Sequence, residues 1–151
     1  RMLTPIRALD GIDLDCQPES AWRVLADVRS YPVWWPAELR LRITSTDVAR
    51  DPLGTEFEIH PPSARPFRCR VVHAEPPLTL RTQYVSHFLQ GTGCWRVERR
   101  GEGCRVSYEL DVAAHGPLVA LLSRVVNLSA FHSRGMQGVL AGLRDQVSRS
   151  Q

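Results

Sequence analysis

The segment SYPVWWP, residues 30–36, holds three aromatic residues and two prolines in seven positions. A proline near each end prevents a long helix or a central strand, because proline lacks the backbone N–H and restricts the residue before it. Trp34 and Trp35 are adjacent, so their side chains point in different directions in any regular conformation. We therefore expect one indole to enter a core while the other lines a pocket or a surface.

The residues before this segment predict one strand and one helix. Ile12 and Leu14 alternate with polar neighbours, which is typical of a strand. Pro18 suits the first turn of a helix. The apolar residues that follow recur on one helical face and predict a helix from Pro18 to about Val28; they are Ala21, Trp22, Leu25 and Val28.

After the segment, the hydrophobic period changes to two and six further strands are predicted. Pro- and Gly-rich turns such as 51–54 and 100–103 separate the runs, and short connections of this kind join antiparallel neighbours. Each run is apolar on one side and polar on the other, so the sheet has one face to bury. The apolar members are Leu39, Leu41 and Ile43; Phe57 and Ile59; Phe67, Cys69 and Val71; Leu78, Leu80, Thr82 and Tyr84; Trp95 and Val97; and Val106, Tyr108, Leu110 and Val112.

A helical pattern begins at Gly116-Pro117 and continues to the end of the chain. Its apolar residues fall on one stripe: Leu118, Leu121, Val125, Leu128, Met136, Val139, Leu143 and Val147. This helix is the only element long enough to cover the sheet, so the sheet must curl around it and leave a cavity where the two do not meet. Gly91 and Gly93 have inward parity, which allows either a close backbone approach or room for a guest.

Composition excludes several classes of protein. The chain has 151 residues, which suits a single domain over 1–151, and a net charge of +3. All 19 basic residues are arginine, so lysine chemistry is absent, and their even spread argues against nucleic-acid binding. No apolar run is long enough for stable membrane insertion. The four cysteines lack metal-ligand spacing and suit a reducing, cytoplasmic location. We expect no metal and no cofactor.

The order of elements resembles the helix-grip fold of the START/Bet v 1-like (SRPBCC) superfamily, in its bacterial polyketide cyclase/dehydrase and lipid-transport branch. Four segments carry the resemblance: AWRVLAD (21–27), YPVWWP (31–36), AEPPLTL (74–80) and GTGCWRV (91–97). The resemblance implies an α+β fold in which a seven-stranded curved antiparallel sheet wraps around a long C-terminal helix, with two short helices after strand 1. Members bind hydrophobic ligands in a central cavity, and some act as aromatase/cyclases. The family has no common catalytic motif to carry over.

His132 is the best candidate for a catalytic residue, because a polar ring on the apolar stripe of the last helix needs a hydrogen-bond partner or a solvated cavity. The alternative is a structural histidine bonded to Tyr84, Tyr108 or a backbone carbonyl. Cys69 is expected to be a small hydrophobic residue rather than a nucleophile. The predicted cavity residues are Trp34, Trp35, Phe57, Cys69, Tyr84, Trp95, Tyr108, Leu128, His132 and Met136.

Three functions remain open at this point. The first hypothesis is binding of a small or medium hydrophobic molecule, polyketide-, lipid- or quinone-like, admitted near Trp34, Trp35 and the N-terminal half of the last helix. The second is a cyclase/aromatase or dehydratase with His132 as acid or base. The third is a protein-interaction module with an apolar groove and an exposed tryptophan. The sequence leaves the oligomeric state open, and fold alone does not decide among these functions.

Overall fold

The computed structural model describes residues 3–62, 64–123 and 127–151. Within these residues, four α-helices and seven strands make up the fold. The helices are α1 (Pro18–Ala26), α2 (Tyr31–Trp34), α3 (Pro117–Leu122) and α4 (Leu128–Ser150). The strands are β1 (Leu3–Leu14), β2 (Arg42–Ile43), β3 (Glu56–Ile59), β4 (Phe67–Glu75), β5 (Thr79–Ser86), β6 (Leu89–Arg100) and β7 (Gly103–His115).

The strands form one antiparallel sheet in the order β1-β7-β6-β5-β4-β3-β2. Strands β2 to β7 are a meander, and β1 completes the sheet beside β7. The predicted fold class is confirmed: the sheet is curved, the two short helices follow β1, and the long helix comes last. Each strand has one buried face because apolar and polar residues alternate. On β7, for example, Val106, Tyr108 and Leu110 are buried while Glu109 and Asp111 are exposed.

Helix α4 covers the apolar face of the sheet. Its C-terminal two thirds bury one stripe of side chains: Met136, Val139, Leu140, Leu143 and Val147. At Gly142 the helix meets the backbone of Trp34, and at Gly138 it meets the Pro36 ring. An added Cβ at Gly142 would collide with the Trp34 carbonyl oxygen, so only glycine permits this approach. Among the residues described, no helix is long and apolar enough to cross a membrane.

Several element boundaries differ from the sequence prediction. Strand β1 begins at Leu3, well before Ile12, because β7 is long enough to pair with all of it. Leu39 ends a short 3₁₀ turn rather than beginning a strand, and Arg40 then adopts a left-handed conformation with φ 46°. Leu78 precedes β5 and is half exposed.

The prediction of one continuous C-terminal helix is wrong in its first half. Helix α3 ends at Leu122, and α4 begins after Asn127, whose side-chain oxygen accepts a hydrogen bond from the Ala130 backbone N–H at 3.0 Å. An N-cap of this kind starts a new helix. Leu118 and Leu121 are consequently 79% and 61% exposed instead of buried in the stripe. The predicted stripe residue Val125 lies outside the described residues.

Candidate functional site

A row of inward-facing side chains crosses four strands in register. Leu80 on β5 pairs with Trp95 on β6, Trp95 with Tyr108 on β7, and Tyr108 with Asp10 on β1. The Trp95 and Tyr108 rings meet edge to face at a centroid distance of 4.8 Å. The row therefore changes from apolar to polar as it approaches β1.

Tyr84 joins this row through its hydroxyl group. The Tyr84 and Tyr108 hydroxyl oxygens are 2.7 Å apart, and both side chains are buried. Burial raises the pKa of both phenols well above the ordinary value, so they remain protonated at neutral pH. A shared pair of neutral hydroxyl groups can donate to or accept from a polar atom placed beside it.

Gly91 and Gly93 serve close packing of the strands rather than room for a guest. A Cβ at Gly93 would occupy the position of the Tyr108 hydroxyl group, and one at Gly91 would overlap the β7 backbone at Asp111 and Val112. The absence of a side chain at Gly93 is what lets the Tyr108 phenol lie across β6. Of the two readings left open by the sequence, the structure supports close approach.

His132 lies on α4 directly over this row. Its ring is stacked on the Tyr108 ring at 6.3 Å, with an angle of 24° between the planes. Its Nδ1 atom is buried and has no hydrogen-bond partner among the described residues. Burial lowers the pKa of His132 below its ordinary value, and the nearby Asp10 carboxylate offsets part of that shift. The imidazole is thus neutral at pH 7 and has one unused polar atom.

Asp10 is a site residue that the sequence analysis missed. It occupies an inward position on β1, is half buried, and accepts a hydrogen bond of 3.0 Å from the Ser133 hydroxyl group. This bond joins the first turns of α4 to the sheet edge. Asp10 is two positions before Ile12 and four before Leu14, so alternation places all three side chains on the same face of the strand. A charged residue at an apolar position concealed that the strand extends this far.

The tryptophan segment forms a second aromatic group. Trp34 is buried, Trp35 is half buried, and both pack with Phe57 around Tyr31, whose ring is 5.1 Å from Trp34 and 5.5 Å from Trp35. Both indole N–H groups are buried without a partner among the described residues. Gly142, the α4 residue against Trp34, is ten residues after His132, about 15 Å along the helix. The sequence predicted one ligand entrance near Trp34, Trp35 and the N-terminal half of the last helix, but the tryptophans and that half of α4 lie in separate places.

The remaining predicted cavity residues lie between these groups or above them. Cys69 pairs with Phe57 on one side and Tyr84 on the other, which links the two aromatic groups across β3, β4 and β5. Burial raises the pKa of the Cys69 thiol, so it is protonated and unsuited to nucleophilic attack. Met136 is buried on the side of α4 that faces the sheet, and Leu128 is half buried in the first turn of the same helix.

Two open pockets lie outside the space between sheet and helix. One, of about 230 Å³, lies between α1 and the end of α4 and is lined in part by Arg23, Asp27 and Gln146. The other, of about 250 Å³, lies on the outer face of the sheet around Arg81 and Arg96. Neither contains a predicted cavity residue. Within the described part of the chain, no group of three or more His, Cys, Asp or Glu side chains could hold a metal ion.

A curved seven-stranded sheet gripping one long helix defines the helix-grip fold of the START/Bet v 1-like superfamily. A family model described as polyketide cyclase / dehydrase and lipid transport matches residues 9–148. The chain belongs to this family, as its sequence segments indicate. No curated protein sequence matches the chain.

Solved structures with the same fold include proteins of different kinds. The di-domain ARO/CYC StfQ from the steffimycin biosynthetic pathway is similar with a TM-score of 0.71 and 18% identity, over 97% of this chain and 52% of StfQ. This chain thus spans about half of that protein. A START superfamily protein from Mycobacterium smegmatis is similar with a TM-score of 0.73 and 12% identity, over 96% of this chain and 99% of that protein. Norcoclaurine synthase from Thalictrum flavum is similar with a TM-score of 0.74 and 8% identity, over 99% of this chain and 98% of that protein. At these identities the likeness concerns the fold alone.

Proposed function

We propose that this protein binds a small apolar molecule with a polar end, between the sheet and the N-terminal half of α4. The observation that carries the proposal is a gradient of burial along the last two helices. Residues from Met136 onward bury their apolar stripe, His132 and Leu128 are half buried, and Leu118 in α3 is largely exposed. Burial between the last two helices and the sheet therefore decreases from Met136 past the polar row towards α3.

The polar end of the site is formed by groups that still have hydrogen-bonding capacity. His132 Nδ1 has no partner among the described residues, and the Tyr108 ring on which His132 stacks carries one of the two hydroxyl groups of the Tyr84–Tyr108 pair. A buried polar atom without a partner destabilises the folded state by roughly 1–3 kcal/mol. A ligand hydroxyl group that bonds to Nδ1 recovers part of that free energy, and the apolar body of the ligand gains about 25 cal/mol per Å² of buried surface.

Admission of the ligand requires the first turns of α4 to move outward. Pockets for drug-sized molecules hold about 300–1,000 Å³, and the two pockets described above are smaller and lie elsewhere. The exposed apolar side chains of α3, which contacts β1 and β7, would line the enlarged opening. Segments with few buried contacts open at low free energy.

The test is native mass spectrometry on protein purified from its own host, followed by titration with 2-naphthylmethanol as a neutral apolar probe. We expect either a co-purifying molecule or saturable probe binding. His132→Ala should weaken that binding, whereas His73→Ala, which alters an exposed histidine on β4, should not. Protein that carries nothing and shows no saturable binding would contradict the proposal.

A second candidate function is catalysis of the cyclase/aromatase or dehydratase type. It is favoured by one observation: the neutral His132 is stacked over the Tyr108 phenol, and its Nδ1 atom has no partner in the part of the chain that the structure describes. A neutral imidazole can accept a proton from a carbon flanked by carbonyl groups and return it to an oxygen. On this account, His132→Ala abolishes turnover of a poly-β-ketone substrate and leaves the melting temperature nearly unchanged; undiminished turnover would exclude the role.

The third function weighed from the sequence finds less support. An interaction module was expected to expose Trp34 or Trp35, but Trp34 is 4% exposed and Trp35 is half buried against Tyr31 and Phe57. Both indoles act as internal packing.

A further inference from the structure

Asp10 gives the polar end of the proposed site a negative charge. The residue is on the inward face of β1, paired in register with Tyr108, and its carboxylate is held by the Ser133 hydroxyl group. Ser133 is a neutral donor, so the hydrogen bond fixes the carboxylate without cancelling its charge. Few acidic side chains lie at inward positions of a sheet that packs against a helix.

The cations near Asp10 are directed to the other face of the sheet. Arg7 bonds to Asp111 at 3.2 Å, and Arg105 bonds to Asp13 at 3.0 Å; all four side chains lie at outward positions. In the described part of the chain, no Arg or His nitrogen lies within 4.0 Å of the Asp10 carboxylate. The charge of Asp10 is therefore not neutralised within the site.

The other groups that face this end do not compensate for the charge. His132, on α4, is neutral at pH 7 because burial lowers its pKa, and Tyr84 and Tyr108, on β5 and β7, are protonated phenols. Asp10 contributes two acceptor oxygens, one of them bonded to Ser133, and His132 Nδ1 adds a third acceptor in the tautomer that carries its proton on Nε2. A ligand placed here meets a negative charge and atoms that accept hydrogen bonds.

We infer that the site selects apolar molecules whose polar end is a hydrogen-bond donor without negative charge, a hydroxyl group or an amine, and that Asp10 excludes carboxylates such as fatty acids. This inference rests on the proposed binding function and narrows its ligand class. The physical basis is that like charges brought together in a partly desolvated site repel strongly, whereas a donor facing a carboxylate forms a charge-assisted hydrogen bond.

Three probes of similar size test the selectivity: 2-naphthylmethylamine, 2-naphthylmethanol and 2-naphthoate, titrated at pH 7.5 with binding followed by fluorescence. Wild-type protein should bind the amine and the alcohol at least about tenfold more tightly than the carboxylate. Asp10→Asn keeps the shape and an acceptor for Ser133 but removes the charge, so the difference should fall to less than about threefold.

Asp13→Asn is the matched control, since Asp13 lies three positions further along β1 on the outer face. It removes one negative charge from the same strand and should leave the order of affinities unchanged. If wild type binds all three probes equally, or if Asp10→Asn does not narrow the difference, the inference is overturned while the proposed binding function stands. If no probe binds, the proposed function fails and the inference falls with it.

Discussion

Replacing Gly142 with alanine tests how the tryptophan segment packs on the last helix. A glycine in the interior of a helix normally destabilises it by about 1 kcal/mol relative to alanine. At Gly142, however, the new Cβ would overlap the carbonyl oxygen of Trp34, a backbone atom that cannot move aside cheaply. Overpacking of this kind destabilises by about 1–3 kcal/mol. If overpacking costs the upper value of about 3 kcal/mol and the helix propensity of alanine recovers about 1 kcal/mol, Gly142→Ala should lower the free energy of unfolding by about 2 kcal/mol.

Gly135 provides a control on the same helix, because a Cβ there has no neighbour within 4 Å. Gly135→Ala should gain the full helix propensity, about 1 kcal/mol. The two variants should thus differ by about 3 kcal/mol, or by about 6–12 °C in Tm for a chain of this size. Urea denaturation followed by circular dichroism measures both. If Gly142→Ala stabilises the protein as much as Gly135→Ala does, the packing of Trp34 on α4 is wrong.

Three further perturbations address the polar row. Burial lowers the pKa of His132 in the folded state below the unfolded value near 6.5, so the folded protein should lose stability as the pH falls below that value. Asp10→Asn should lower the pKa of His132 further, because it removes the nearby negative charge, and NMR titration of the ring measures this change. Tyr108→Phe should destabilise by about 1–3 kcal/mol by leaving the Tyr84 hydroxyl group unpaired, and adding Tyr84→Phe should cause little more loss; strictly additive losses in urea denaturation would refute the shared bond. Gly93→Ala should displace the Tyr108 ring and destabilise by about 1–3 kcal/mol, so unchanged thermal unfolding would contradict the packing assigned to Gly93.

The sheet was predictable because its alternation is regular. Val106, Tyr108, Leu110 and Val112 keep strict parity along β7, and parity alone assigns each side chain to a face. Strand β1 escaped recognition over most of its length because Pro5, Asp10 and Gly11 break the pattern. Pairing along the whole of β7 overrides those local preferences, and only the register reveals that Asp10 faces inward.

The last helix shows where periodicity misleads. Leu118 and Leu121 are in phase with Met136 and Val139, so one stripe fits them all, although α3 ends at Leu122 and Asn127 caps a separate helix. Helical periodicity indicates which residues could lie on one face of a helix, but that face is buried only where another element of the fold packs against it. A capping asparagine inside the pattern was the local signal of the interruption.

Binding of a ligand above the polar row, under the first turns of α4, should change the surroundings of the backbone amides there. A ¹H–¹⁵N NMR titration with 2-naphthylmethanol tests it most directly, because every backbone amide reports on its own surroundings. We predict saturable shifts in residues 128–136 and at Asp10 and Tyr108. Shifts confined to the outer pocket around Arg23 and Gln146, or no saturable shifts at all, would contradict the claim.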